Sequence, residues 1–253
     1  MNSFVLQLVV GILIGIGAGY VGSFMVLRRM SLVGDALSHV ALPGIAISLI
    51  LSINPFFGAF GALIIAIVAI WVLEKRTELP PETLVGILFT LSLALGLLLT
   101  PEPELLEALF GDLAKISVAD LFITLATVVT LILIIRKVAN SLMLGIISKE
   151  LAQAMKIPIH KINFIFLLSV ALVVALGLKV VGTLLMGSLV IIPAAAAKNI
   201  SLNLSQYSRW AVFFGAMSVI VGLFASRYFH ISAGPTIVLA SGIIFLGTLV
   251  VKK

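Results

Sequence analysis

The chain contains no cysteine, so neither disulfides nor thiolate metal ligands enter its chemistry, and cysteine usage gives no redox compartment. Charge is nearly as scarce. Only 10% of the 253 residues are Asp, Glu, Lys or Arg, against about 25% in a soluble domain. With 62% hydrophobic residues and a mean hydropathy of +1.31, polar side chains are too few to cover a water-facing surface. That excludes a soluble enzyme or a soluble binding module and leaves an integral membrane protein. Trp and Tyr are rare, 2 and 3 residues beside 15 Phe, so aromatic belts at the membrane interfaces are thin. The net charge of +6 does not point to nucleic acid, because in a membrane chain the placement of Lys and Arg gives the excess its meaning.

Long apolar runs are what the sequence has in abundance. Uncharged stretches cover Phe4–Leu27, Asn54–Leu73, Thr83–Pro101, Leu121–Ile135, Ile162–Leu178, Val180–Ala197, Trp210–Ser226 and Ile231–Val251, and Leu32–Ile53 is broken only by Asp35 and His39. A membrane-crossing helix needs about 20 apolar residues. The expected fold is therefore an all-α polytopic integral membrane helical bundle of about nine transmembrane spans, within a range of eight to ten. Residues 1–253 form one transmembrane domain, with no room for a fused soluble one.

Cytoplasmic loops carry an excess of Lys and Arg. With the N-terminus outside, the inner loops hold Arg28, Arg29, Lys75, Arg76, Arg136, Lys137, Lys149, Lys156, Lys161, Lys198, Arg209, Lys252 and Lys253. The outer ones hold Lys115, Lys179 and Arg227. This asymmetry predicts an outside N-terminus and a cytoplasmic C-terminus. The first segment lacks a basic n-region and is too long for a signal-peptide core, so it stays as a span. The outer loop Glu102–Lys115 is acidic, and the inner segment Arg136–Lys161 contains a short amphipathic helix, SKELAQAMKI, ended by Pro158. Gly11, Gly15 and Gly19 stand at four-residue spacing, which suits close helix packing.

Ionisable groups within hydrocarbon are costly and mark functional sites by default. The stretch GDALSHVALPG, Gly34 to Gly44, places two of them inside an apolar run. Asp35 and His39 are four residues apart and share one helix face. A carboxylate with an imidazole is half a site for a divalent transition metal; the plainer alternative is a pair that satisfies itself between helices. Ser38 is adjacent, and Pro43-Gly44 breaks the helix a turn later. His160 reads as a solvated loop residue, His230 as an interfacial anchor, and Lys179 as a side chain that snorkels outward. Enzyme signatures fail. GLKVVGT at Gly177–Thr183 lacks the Lys of a phosphate-binding loop, no HExxH occurs, and LVGD at Leu32–Asp35 misses the first Gly of the intramembrane aspartyl protease pattern. An energy source is thus to be sought in another chain, and SKELAQAMKI is a candidate to dock it.

These residues, taken in order, resemble the membrane subunit of the bacterial zinc/manganese/iron metal-uptake ABC transporter family. The likeness runs along essentially the whole chain. It is carried by GSFMVLRRMSLVGDALSHVALPGIA (Gly22–Ala46), ETLVGILFTLSLALGLLL (Glu82–Leu99), LFGDLAKISVADL (Leu109–Leu121), VVGTLLMGSLVIIPAAAA (Val180–Ala197) and SAGPTIVLASGIIFL (Ser232–Leu246). The short length and the Ala233–Pro235 AGP are similar to the zinc-type branch. Zinc-type members carry a His in the fourth span where this chain has Phe89-Thr90. The family's coupling segment often has Gly where Lys156 stands.

The resemblance implies a multi-pass permease in the bacterial cytoplasmic membrane, surrounded by lipid. A homodimer would form the pore, cytoplasmic ATP-binding cassette ATPase subunits would drive it, and an extracytoplasmic metal-binding protein would deliver the ion. The chain itself would not be an enzyme and would hold no permanent cofactor. Asp35 and His39 would contribute to the metal path. The segment 148–157 would be the coupling helix, with Ser148, Lys149, Glu150, Leu151, Ala152, Met155 and Lys156 at the ATPase. The transported cation would be Zn2+ first, Mn2+ next, then Fe2+. Two ligands per subunit fall short of the four of a structural zinc site, and twofold symmetry doubles them if the path lies on the axis. The rivals are an ion-coupled secondary carrier using Asp35, an intramembrane enzyme, and a permease for a chelated ligand.

Overall fold

A computed structural model describes residues 3–77, 79–99 and 116–251 of the chain. Among them every regular element is an α-helix: α1 (Ser3–Leu27), α2 (Val33–Val40), α3 (Leu42–Ile50), α4 (Pro55–Arg76), α5 (Pro81–Leu99), α6 (Val118–Ile147), α7 (Lys149–Ala154), α8 (Ile159–Ile200), α9 (Leu204–Phe229) and α10 (Ala233–Val251). The acidic loop Glu102–Lys115 lies outside the described residues, as does the start of the Leu109–Leu121 block.

The helix ends follow from local chemistry. Asn54 caps α4 by accepting from the Phe56 N–H, and Pro55 takes the first helical position. Ser117 and Asp120 form a reciprocal capping box at α6. Asn203 opens α9 by accepting from Gln206 N–H. At the other ends, α1, α3 and α7 close on a left-handed residue, Arg29 (φ 60°), Ser52 (φ 54°) and Lys156 (φ 55°). In each, the next N–H reaches back five residues: Met30 to Met25, Ile53 to Ser48 and Ile157 to Ala152. These are Schellman closures, usually made with Gly. The first of these turns ends α1 at Arg29, and the helix restarts at Val33.

Among the described residues eight helical stretches are long and apolar enough to cross a membrane, α2 and α3 counting together as Val33–Ile50. The ninth apolar run forms a shorter helix, Leu185–Ile200. It is the second limb of α8, whose ladder is interrupted at Gly182 (φ 76°, ψ 177°). In a straight helix Gly177 and Met186 would be about 13.5 Å apart, yet the Met186 sulfur lies against Gly177. The chain bends sharply back at Gly182, in a backbone conformation that only glycine holds without strain. α6 runs 30 residues, past the charges Arg136 and Lys137. At about 1.5 Å per residue it exceeds the hydrocarbon thickness.

The bundle closes around α1, which packs chiefly on α9 and both limbs of α8. The glycine stripe does packing work here: Gly15 meets the Gly215 backbone and Gly19 the Ala211 backbone of α9, the close approach small residues permit. The α2–α3 segment and the first limb of α8 are the most enclosed spans, whereas α5 and α6 turn broad apolar faces outward.

Candidate metal site

The two ligands expected from sequence stand on α2, a two-turn helix bracketed by the Arg29 turn and by Ala41. Its C-terminal break has a simple cause. Pro43 has no N–H to give the His39 carbonyl four residues back, so α2 ends and α3 begins anew at Leu42. Asp35 is half-buried and His39 buried, and their four-residue spacing puts them on one face.

Three of its contacts bear directly on Asp35, Ser38 and His39. The first is with α8: a Cβ added at Gly187 would lie 2.5 Å from Asp35 Cβ and 2.7 Å from its Oδ1. Only a hydrogen fits there, so Gly187 lets the second limb lie directly against the carboxylate. The second is Ser38, fully buried, whose Oγ lies 2.6 Å from the Asp35 carbonyl and 2.6 Å from the Thr183 carbonyl. A hydroxyl has one proton, which the two acceptors share. Thr183 follows the Gly182 bend directly, so Ser38 ties α2 to the interrupted backbone of α8. The third is Phe89 of α5, whose ring centre is 5.4 Å from that of His39 at 63°.

His39 Nδ1 is buried and makes no hydrogen bond. A buried polar atom without a partner is costly and calls for an explanation; an unprotonated Nδ1 with its lone pair free can ligate a metal ion. Among the described residues no three His, Cys, Asp or Glu come together, so one chain offers the two groups Asp35 and His39. Of the pair Phe89-Thr90 noted above at the place of a further His, Phe89 abuts His39.

The remaining anticipated residues separate cleanly. Ser148 is the N-cap of α7, accepting from Leu151 N–H at 3.1 Å and donating to Glu150 Oε2 at 2.8 Å. Leu151 and Met155 are 49% and 60% exposed one turn apart, while Ala152 is buried, so α7 presents an apolar face. Glu150 and Lys156 are exposed, and Lys156 closes the helix; Lys149 is the first residue of α7. His160 belongs to the first turn of α8 and lies 3.6 Å from the Glu74 carboxylate. His230 is the left-handed cap of α9. Sequence reasoning missed Gly187, the Ser38–Thr183 tie and a polar cluster of Arg28, Asn163 and Glu74; none of them has a local signature.

An enclosed, interrupted helix bearing ionisable side chains inside a polytopic bundle is an arrangement that fits a membrane transport protein. The chain belongs to the ABC 3 transport family, whose family model matches residues 2–252. It is 37% identical over 246 residues to the high-affinity zinc uptake system membrane protein ZnuB of Haemophilus influenzae, covering 94% of each chain. It is 35% identical over 243 residues to the manganese import system permease protein ScaB of Streptococcus gordonii, covering 94% of this chain and 87% of that one. Among solved structures it is similar to PsaBC from Streptococcus pneumoniae in complex with Fab, at 32% identity and TM-score 0.85, over 98% of this chain and 91% of that chain.

Proposed function

We propose that the chain is the membrane-spanning permease subunit of an ATP-binding cassette importer for a divalent transition metal, with Asp35 and His39 as the ligands that hold the ion in transit. One observation carries the reading: a carboxylate and an imidazole share one face of α2, and the imidazole nitrogen Nδ1 has no protein partner. Two ligands bind weakly enough to release, as a transport site must. A second copy of the chain supplies the other two across a twofold axis, and the outward apolar face of α5, which packs beside α2, is free to meet lipid or that copy.

ATP hydrolysis belongs to separate cytoplasmic subunits, docked on 148–157 through the apolar pair Leu151 and Met155. An extracytoplasmic protein delivers the metal, and the N-terminus lies outside. Zinc is the first cargo and manganese the second. The manganese reading has its own observation: Phe89 stands beside His39 in place of another imidazole, leaving an oxygen–nitrogen pair that suits the harder ion as well.

The test is uptake of zinc and of manganese by cells carrying the chain with its ATPase and binding protein, wild type beside Asp35→Asn and His39→Ala. Saturable uptake of either metal that falls at least about tenfold in both variants at equal abundance supports the site. Wild-type transport by both variants removes Asp35 and His39 from the metal path.

A further inference from the structure

At the end of the bundle that carries α7, charged and amide side chains from three helices converge. Arg28, the residue after α1, donates from Nη2 to Asn163 Oδ1 at 2.7 Å. Asn163 of α8 in turn donates from Nδ2 to Glu74 Oε1 of α4 at 3.0 Å. The amide thus stands between a cation and an anion, its oxygen toward one and its nitrogen toward the other. The guanidinium also lies 4.9 Å over the ring of the fully buried Phe166. Asn163 is buried, and Arg28 Nη1 and Glu74 Oε2 are buried without partners. Burial lowers the Arg28 pKa, against which the charges of Glu74 and Glu82 act; the guanidinium keeps its proton regardless. A metal ion does not fit this cluster, because Arg28 already supplies the positive charge.

Its place in the chain gives the cluster a use. Asn163 is five residues beyond Pro158, and only Met155–Pro158 separate α7 from the start of α8. Arg28 is seven residues before Asp35 and opens the Arg29 turn that leads into α2. Buried ion pairs stabilise poorly for their desolvation cost, yet they fix one arrangement against others.

We propose that Arg28, bridged by Asn163 to Glu74, is a positioning residue for transport: it couples movement of the ATPase-docking segment at the start of α8 to the turn that aims Asp35 and His39. This rests on the permease reading above. When α7 is displaced, α8 carries Asn163 with it, and the charged bridge passes the displacement to the end of α1 instead of letting the two elements slide. The cluster touches no cargo.

The experiment uses the whole complex, permease with ATPase and binding protein, in proteoliposomes with zinc and with manganese. It measures metal taken up per ATP hydrolysed, and ATPase stimulation by the loaded binding protein. Arg28→Met keeps bulk and removes the charge. It is expected to copurify with the ATPase, to keep basal hydrolysis, and to lose about tenfold in metal moved per ATP, within the range of ordinary site-to-site coupling. Because removing Arg28 leaves the Glu74 carboxylate with only Asn163 and His160 beside it and can impair folding, the exchange Arg28→Glu with Glu74→Arg is the second arm. Asn163 can turn its amide over and serve the reversed pair, so the double variant recovers the ratio that each single exchange lowers. A wild-type ratio in Arg28→Met, or a double variant no better than the singles, overturns the proposal. Absence of zinc and manganese transport in the wild-type complex overturns the permease reading instead.

Discussion

Replacing Gly187 by Ala tests whether the ligand helix depends on its seat against α8. The added Cβ would stand 2.5 Å from Asp35 Cβ, 2.7 Å from Oδ1 and 2.8 Å from Cα. A rotamer change can move Oδ1, but Cα is backbone and Cβ is bonded to it, so no rotamer change relieves those two contacts. Ordinary contact begins near 3.4 Å, so the two helices must part by about 0.9 Å along the Cβ–Cβ line. Metal–ligand distances tolerate about 0.2 Å, several times less than that shift. Overpacking of this kind costs about 1–3 kcal/mol in stability, and displaced ligands lose about 10–100-fold in metal affinity. The assay is initial uptake of zinc and manganese, normalised to permease abundance in the membrane. Gly242→Ala is the matched control, because nothing lies within 4 Å of its added methyl; it should transport as wild type does. Equal uptake by Gly187→Ala at equal abundance would refute the seat and the geometry assigned to Asp35.

Gly182→Ala should lower the thermal midpoint of the detergent-purified permease, since an alanine at φ 76°, ψ 177° carries about 1–3 kcal/mol of strain; an unchanged midpoint would mean the bend is not held. Lys156→Gly should leave uptake intact and raise the midpoint slightly, because it relieves about 1 kcal/mol of left-handed strain at φ 55°. Loss of transport there, with the midpoint maintained, would show that the Lys156 side chain itself meets the ATPase. Phe89→His sets a second imidazole beside His39 and should raise the ratio of zinc to manganese uptake. A ratio that stays at the wild-type value counts against Phe89 as a neighbour of the ion.

The bundle was legible because apolar runs of membrane length have few other uses, and the helices fall where those runs lie. Their limits were less so. A run ends where charge begins, which marks the hydrocarbon boundary and not the end of the helix; α6 therefore continues through Arg136 and Lys137 to Ile147. The bend at Gly182 left a weaker trace than the break after α2. Pro43 announces its break by lacking an N–H, but a glycine inside GLKVVGT looks like any other small residue in a span. Asp35 and His39 stood out because ionisable groups in an apolar stretch are rare. The residues that position them did not: Gly187, Thr183 and Phe89 are apolar or small and come from remote parts of the chain. Arg28, Glu74 and Asn163 were hidden for the opposite reason, since polar residues at span ends are what every span end has.

The breaks on either side of α2 bear directly on how a site of this kind can open. An ion held by two side chains on a long continuous helix is released only by moving the whole span. Here the pair sits on eight residues, between the left-handed turn at Arg29 and the discontinuity at Ala41. Two turns of helix can therefore tilt as one body, and Asp35 and His39, the ligands proposed above, would move together because they share one face. Besides the burial of Val33, Leu37 and Val40, three contacts at the polar groups resist such a tilt: the Gly187 seat, one hydroxyl shared with the Thr183 carbonyl and the edge of Phe89. Two of the three come from the α8 segment that follows the Gly182 bend, and that limb also meets α1, where Gly22 lies against the Val190 backbone, so a shift of the limb would move the Asp35 seat and the α1 contact together.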